Sequence, residues 1–318
     1  MNVLQISETP LVAAPQKISN SLNLYTNFKS NCIVNIVYIG NKKDIFVEKS
    51  ILNSKDNYTK IINLLKKADL IHIHNDISIS FQNLIKTHCK SSTKFIYQTH
   101  SSLREGPLYY DRSENLPFDF SKKLAVAQYQ PRIYPEFEMV PNIIEFQPTL
   151  NINNSDSIKI LYSPAQKSTY GRWGKKYSQN LEKAIESLNE FKNIQIMIVS
   201  GLSPTQLYSL RTTFDITIDE ISTGGFHQIS LEGLCAGNLV INGADFFSKE
   251  IAKNTFMSEA HPPFFTLNEH NIELELFELI KNKNKINSIK KESYEYFLKY
   301  LSPKTLIKTY EKIYTEIM

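Results

Sequence analysis

The sequence predicts an α/β chain of two domains, each built on a doubly wound, Rossmann-like parallel sheet. Three observations predict it. Short apolar runs rich in β-branched residues alternate with helical segments along most of the chain. The alternation stops at V-P-N, 140–142, and at a polar stretch over 151–157 without periodicity, and then restarts. A length of 318 residues matches about two domains by the usual size prior, and 42% apolar residues can fill two cores.

The elements follow in order. Residues 2–6 read as a strand, 16–27 as a helix and 32–39 as a second strand with strong β-branched content. Residues 58–68 are helical on the face formed by Ile61, Ile62, Leu64 and Leu65, and 70–74 return as a strand. A helix over 81–89 and a strand over 94–99 complete the first half. The second half begins with a strand over 158–162, followed by a helix over 177–191, a strand over 194–199 and a short helix over 205–210. Residues 294–318 close the chain as helices broken near Ser302-Pro303. The expected division is 1–150, 151–295 and a terminal segment 296–318. Such sheets take ligands at the carboxyl ends of their strands.

Residues 218–243, I-D-E-I-S-T-G-G-F-H-Q-I-S-L-E-G-L-C-A-G-N-L-V-I-N-G, read as loop, helix and buried strand in immediate succession. Ser222, Thr223, Gly224 and Gly225 make a small loop, and 226–236 carry apolar residues at Phe226, Ile229, Leu231, Leu234 and Cys235 with helical spacing. Gly237 stops the helix as its C′ residue, and 238–242 form the strand. A glycine loop feeding a helix N-terminus offers unpaired N–H groups and the positive end of the helix dipole, as a phosphate or diphosphate requires. Glu232, about two turns into the helix, is placed to reach a ribose diol. The plain alternative is an αβ connection whose glycines serve only a tight turn, and the local pattern by itself favours it.

Composition excludes several classes. With 21% charged residues and only 10 glycines the chain is neither disordered nor fibrous. A net charge of +4 permits weak attraction to anionic surfaces but is too mild to argue for nucleic acid. Cys32, Cys89 and Cys235 lack C-x-x-C spacing and read as buried free thiols of a reducing compartment. No apolar run approaches the roughly eighteen residues of a membrane span, and the N-terminus lacks a basic segment before an apolar one. A cytoplasmic protein is expected, with peripheral contact at the inner face of the cell membrane allowed. No G-x-x-x-x-G-K-[ST], no G-x-G-x-x-G after the first strand and no D-x-D is present, which argues against a P-loop NTPase, a dehydrogenase and a metal-chelating GT-A transferase.

The segment G-F-H-Q-I-S-L-E-G-L-C-A-G-N-L-V-I resembles the E-G-F-G-x-P-x-x-E-A-x-A-x-G-x-P-V-I signature of retaining GT-B glycosyltransferases, family 4 above all. A-D-L-I-H-I-H-N, 68–75, is similar to their D-I-I-H-x-H strand end, F-I-Y-Q-T-H-S, 95–101, to their V-x-T-x-H-x strand end, and V-P-N to the close of their first domain. The resemblance implies two Rossmann-like domains facing a cleft and a last helix that crosses back to the first domain. It implies that the N–H groups over 225–229 hold a donor diphosphate, that Glu232 contacts the ribose and that His100 lies close to the reacting sugar. The candidate donor site is thus Gly224, Gly225, His227, Ser230 and Glu232. Two departures matter: the family's first Glu falls on Gly224 and its second loop Gly on His227. Donor-sugar recognition therefore differs, or Asp219, Glu220 or His227 takes that role.

The family also carries basic residues after the first strand of the second domain, where a departing diphosphate needs neutralising charge. Lys167 is the first candidate, with Arg172 and Lys175 behind it; a solvated basic loop is the ordinary alternative. Segment 7–15 stands in the place of the family's glycine-rich acceptor loop without a glycine, and Ala13 and Ala14 can substitute. Residues 101–119, with Arg104, Tyr109 and Tyr110, suit carbohydrate recognition or an ordinary connection. His72 and His74 share one strand face and can supply two metal ligands. The further ligands and βα units that an amidohydrolase barrel needs are missing, so one histidine at the cleft and one structural is expected, with no metal.

The expected function is transfer of a sugar from a nucleotide-diphosphate-sugar, used as substrate with no further cofactor, to a glycan, lipid-linked or protein acceptor in bacterial cell-surface polysaccharide synthesis. The alternatives are a non-catalytic GT-B-like partner subunit and a nucleotide-sugar epimerase. The latter needs an acid/base pair that is not identified in the sequence.

Overall fold

The computed structural model describes residues 1–37, 47–100, 113–114, 116–128, 130–153, 155–164 and 176–318. They divide into two compact units, 1–143 with 303–318 and 144–302.

The first unit holds a parallel sheet of β1 (Asn2–Ser7), β2 (Lys29–Val34), β3 (Ser50–Leu52), β4 (Leu70–His74), β5 (Lys94–Thr99), β6 (Phe120–Val126) and β7 (Glu138–Val140). The strand order is β3-β2-β1-β4-β5-β6-β7, so the winding direction reverses between β1 and β4. Helices α1 (Ala14–Tyr25), α2 (Tyr58–Lys67) and α3 (Ile79–His88) cover it, joined by the C-terminal helix Pro303–Ile317, which packs on α1. Strands covered on both faces need apolar residues on both, and Leu4, Ile6, Ile33, Ile71, Ile73 and Tyr97 form their share of the core with Ile61, Leu65 and Phe81.

The strand expected over 32–39 forms earlier, at Lys29–Val34. Its partner β1 ends at Ser7, opposite Val34, and Asn35 then turns away, donating its N–H to Ser7 O (3.1 Å) and its amide to Glu8 Oε1 (2.7 Å). Strands β3 and β7, of three residues each, are too short for alternation to register. In β6 two lysines interrupt the apolar run, and Lys122 spends its charge on Glu138 and Glu316 at 2.8 and 2.7 Å.

The second unit carries β8 (Ile158–Tyr162), α4 (Gln179–Ser187), β9 (Ile194–Ile198), α5 (Pro204–Arg211), β10 (Ile216–Ile218), α6 (Gln228–Cys235), β11 (Leu239–Asn242), α7 (Phe246–Thr255), β12 (Phe264–Thr266), α8 (Ile272–Ile280) and α9 (Lys283–Tyr296). The sheet order is β12-β11-β10-β8-β9, all parallel, with the reversal between β8 and β10. Helix α5 starts at a capping box: Ser203 Oγ accepts the Gln206 N–H (3.3 Å), Gln206 Oε1 accepts the Ser203 N–H (3.0 Å), and Pro204 takes the first helical position. Lys290, buried on α9, reaches Asp215 Oδ1 and Asn151 O at 2.6 Å each and so ties the polar stretch before β8 into the unit. A π-helical turn over 297–301 follows α9, and Ser302, with extended backbone, precedes Pro303 at the break the sequence predicts. No helix among the described residues is long and apolar enough to cross a membrane.

Candidate functional site

In the second unit the switch point between β8 and β10 brings Ser163 next to Asp219 and Glu220, which follow β10. Both carboxylates are buried and organise the loop after them. Glu220 Oε2 accepts the N–H groups of Ser222 (2.7 Å) and Thr223 (2.9 Å), and its other oxygen accepts the Thr223 hydroxyl. Gly224 turns the chain at φ +74°, a left-handed backbone that favours glycine, and its carbonyl accepts the Ser248 hydroxyl (2.8 Å). Gly243, at the exit of β11, lies where an added Cβ would stand 2.7 Å from the Ile221 backbone, so only glycine lets β11 approach the loop this closely.

Asp219 Oδ2 accepts the His227 N–H (2.7 Å) and the Ser230 hydroxyl (2.8 Å), and Asn242 donates to Ser230 Oγ at 2.9 Å. Burial pushes the Asp219 carboxyl up, but attraction from His227 and Lys176 and the hydrogen bonds outweigh it and leave the group below its ordinary value. His227 Nδ1 stands 3.5 Å from Glu220 Oε1 and 3.7 Å from Asp219 Oδ1. His227 is the N-cap of α6 and makes no cap bond with its side chain, and its carbonyl takes the Ser230 N–H at 3.0 Å, which leaves the Gln228 and Ile229 amides of the first turn for an anion. Two carboxylates lie beside that terminus, so a diphosphate bound there needs cationic help. Lys167, Arg172 and Lys175, expected to give it, lie outside the described residues.

Glu232 is less far along the helix than the sequence suggests, because α6 begins at Gln228 rather than at 226. Its carboxylate is buried: Oε2 accepts from Arg211 Nη1 at 2.6 Å and Oε1 from Gln228 Nε2 at 2.8 Å. Arg211 is fully buried, and its second terminal nitrogen reaches Ser163 Oγ at 3.4 Å. Sequence reading misses Arg211, since the helix expected over 205–210 stops one residue short of it. The structure thus gathers Gly224, Gly225, His227, Ser230 and Glu232 around α6, with Ser230 and Glu232 engaged inside the unit.

In the first unit His100 follows β5 and is partly exposed. Its backbone N–H donates to Asn75 Oδ1 (2.7 Å), and Asn75 itself turns the chain out of β4 at φ +57°. His100 Nε2 lies 2.9 Å from His74 Nδ1, and removal from water drives the His100 imidazole down to about 3. The expectation of one cleft and one structural histidine on β4 is corrected: His72 and His74 are both fully buried, their rings stacked at 4.1 Å. His74 Nε2 pairs with Gln5 Oε1 (2.8 Å) and His72 Nδ1 with the Tyr314 hydroxyl (2.7 Å), so three of their four ring nitrogens serve hydrogen bonds. Because β4 is central in its sheet, alternation puts both on one covered face, with His74 at the carboxyl end of the strand. In the glycine-free β1–α1 loop Leu11, Val12 and Ala13 adopt φ of +49°, +55° and +62°, so backbone strain replaces the freedom of glycine. Arg104, Tyr109 and Tyr110 lie outside the described residues.

No protein-family model matches the chain, and no curated protein sequence does. Solved structures do. An α-glucosyltransferase in complex with UDP and a 13-mer DNA containing an HMU base aligns over 99% of both chains at 11% identity, with a TM-score of 0.63. Sucrose-phosphate synthase from Thermosynechococcus elongatus aligns over 100% of this chain and 99% of its own at 8% identity, TM-score 0.61. The S. aureus MnaA–UDP co-structure covers 100% and 98% at 11% identity, TM-score 0.56. At such identities the likeness is one of fold. The chain has the GT-B fold, an α/β architecture of two Rossmann-like parallel sheets, each wrapped by helices.

Proposed function

We propose that this chain is a glycosyltransferase that moves a sugar from a nucleotide-diphosphate-sugar to a glycan, lipid-linked or protein acceptor. The observation that carries the proposal is the glycine loop Gly224-Gly225 entering the side-chain-uncapped N-terminus of α6, beside the β8/β10 switch point. In this reading the 225–229 turn holds the diphosphate through the amides left after Gly225 donates to Thr223 Oγ1 and His227 to Asp219 Oδ2, Lys167, with Arg172 and Lys175, neutralises it as it departs, Glu232 holds the ribose and His100 orients the sugar. Retention of configuration, independence from metal, membership of family 4, a cytoplasmic location with contact at the inner membrane face and a role in bacterial surface polysaccharide assembly belong to the proposal on the strength of the sequence resemblance. UDP ranks first among the nucleoside diphosphates because the α-glucosyltransferase and MnaA structures hold it.

A second reading is a non-catalytic partner subunit. It is favoured by Gly224 standing where the resemblance places a Glu, and by the occupation of both Glu232 oxygens. A thermal-shift panel of UDP, GDP, ADP, CMP and their sugar conjugates separates the two when repeated on Lys167→Ala and Glu232→Gln. A rise with one nucleotide diphosphate that both substitutions remove, followed by turnover of its sugar conjugate, supports the transferase. Binding without turnover supports the partner subunit, and no shift with any nucleotide overturns the transferase and leaves a GT-B-like interaction protein.

A further inference from the structure

Five side chains of the first unit form one continuous hydrogen-bond chain from the partly exposed end of β5 to the C-terminal helix. Gln5 on β1 is its hinge. Gln5 Nε2 donates to the Tyr314 hydroxyl oxygen at 3.0 Å, so the single Tyr314 proton goes to His72 Nδ1 at 2.7 Å. In the other direction Gln5 Oε1 accepts from His74 Nε2–H at 2.8 Å. That leaves a lone pair on His74 Nδ1, which takes the Nε2–H of His100 at 2.9 Å. Each imidazole and the phenol offer one proton and one lone pair along the chain, so the orientation of one amide sets every hydrogen in it.

Gln5, His72, His74 and Tyr314 are fully buried. The chain therefore cannot relax by exchanging its partners for water, and a misplaced hydrogen leaves a buried donor facing a donor. A protonated imidazole is disfavoured as well, since desolvation and the neighbouring rings hold His72 and His74 well below the ordinary histidine range.

We propose that Gln5, His74 and Tyr314 are positioning residues that lock His100 as a neutral Nε2–H tautomer, leaving its Nδ1 lone pair for a ligand that donates a hydrogen bond, such as a sugar hydroxyl, and not for an anion. The proposal rests on the reading of His100 as a sugar-contacting residue. It adds the polarity of the contact and the residues that set it. It also links the C-terminal helix to the site chemically, because Tyr314 is the chain's last polar member before His72.

The test is long-range 15N–1H correlation of the histidine rings in the full-length, ligand-free protein, with His100→Asn used to assign the His100 signals. The expected result is an unmixed Nε2–H pattern for His100 that stays neutral from pH 7.5 down to 5.5. An Nδ1–H pattern, or a titration midpoint near 6.5, overturns the proposal. Gln5→Glu separates positioning from simple packing. A carboxylate accepts from both sides, so His100 keeps its tautomer while Tyr314 turns its proton to residue 5 and His72 switches to Nδ1–H. Where that variant fails to fold, Tyr314→Phe serves: His72 loses its proton donor and Gln5 the acceptor that fixes its amide, so the His72 ring signals shift type and the unmixed His100 pattern becomes a mixture of tautomers. A His72 pattern unchanged in a folded variant also overturns the chain. Inorganic phosphate up to millimolar concentration is expected to leave the His100 nitrogens unmoved, and a phosphate-induced imidazolium refutes the acceptor role. None of these signals depends on a nucleotide, so a blank thermal-shift panel and a failed tautomer lock are distinguishable.

Discussion

Arg211 carries its full charge into the interior of the second unit and finds one carboxylate there, Glu232, at 2.6 Å. Two ions removed from water repay their desolvation only as a pair, so removing one leaves the other stranded. Glu232→Ala is expected to cost about 3–5 kcal/mol, whereas Glu232→Gln retains a carbonyl acceptor for the guanidinium and costs less. Urea unfolding of both variants checks this, and equal losses would mean the pair contributes nothing beyond packing. The consequence reaches function: lost turnover in Glu232→Ala cannot be ascribed to ribose binding, and Glu232→Gln is the informative substitution. Residue identity alone marks Glu232 as a candidate. Its partner becomes visible only when α5 and α6 are placed together, because Arg211 and Glu232 are 21 positions apart and share no motif.

Helix α6 ends as its sequence says it should. Gly237, at φ +61°, donates its N–H to Leu234 O (3.0 Å), and Asn238 donates to Gly233 O (3.0 Å), which is the Schellman pattern. An alanine at Gly237 meets the Thr149 carbonyl at 2.7 Å as well as the left-handed penalty. Gly237→Ala is therefore expected to lower stability by at least about 1–2 kcal/mol, read as a drop in the denaturant midpoint; an unchanged midpoint would show that the terminus frays without consequence. Gly233 has a different reason to be glycine, since a Cβ there stands 2.7 Å from Val240 Cγ2 and would push α6 off β11. At this scale the sequence is most readable where an element is long and periodic, as in β1, β4, β5 and α2. It is least readable where three residues pair at a sheet edge, as in β3 and β12. It is silent on the left-handed turn at Leu11, Val12 and Ala13, because none of these residue types announces a positive φ.

For the molecule as a whole, the neutral imidazoles of the first unit predict sensitivity to acid. Burial holds His72, His74 and His100 below their ordinary 6.5, so the unfolded chain binds more protons than the folded one between that value and the folded-state midpoints. Their contribution is complete above pH 6.5 and is lost progressively as pH falls below it, down to about 3 in the case of His100. The slope is up to about 1.4 kcal/mol per pH unit for each imidazole. Unfolding midpoints at pH 7.5, 6.0 and 5.0 should fall in that order and flatten in His72→Gln/His74→Gln; a pH-independent midpoint would refute the buried neutral state.

The sequence by itself determined the α/β class, the parallel winding of both sheets, the loop, helix and strand around α6 and the break before Pro303. All of these are written in local periodicity, turn residues and caps, which act within a few residues of where they are read. Tertiary structure alone decided that Glu232 is answered by Arg211, that Asp219 and Glu220 organise the loop before α6 and that Gln5, His72, His74, His100 and Tyr314 form one chain. These are pairings between elements far apart in the chain, created by strand order and burial, and no local pattern encodes them because their energy arises only once water has been excluded from both partners.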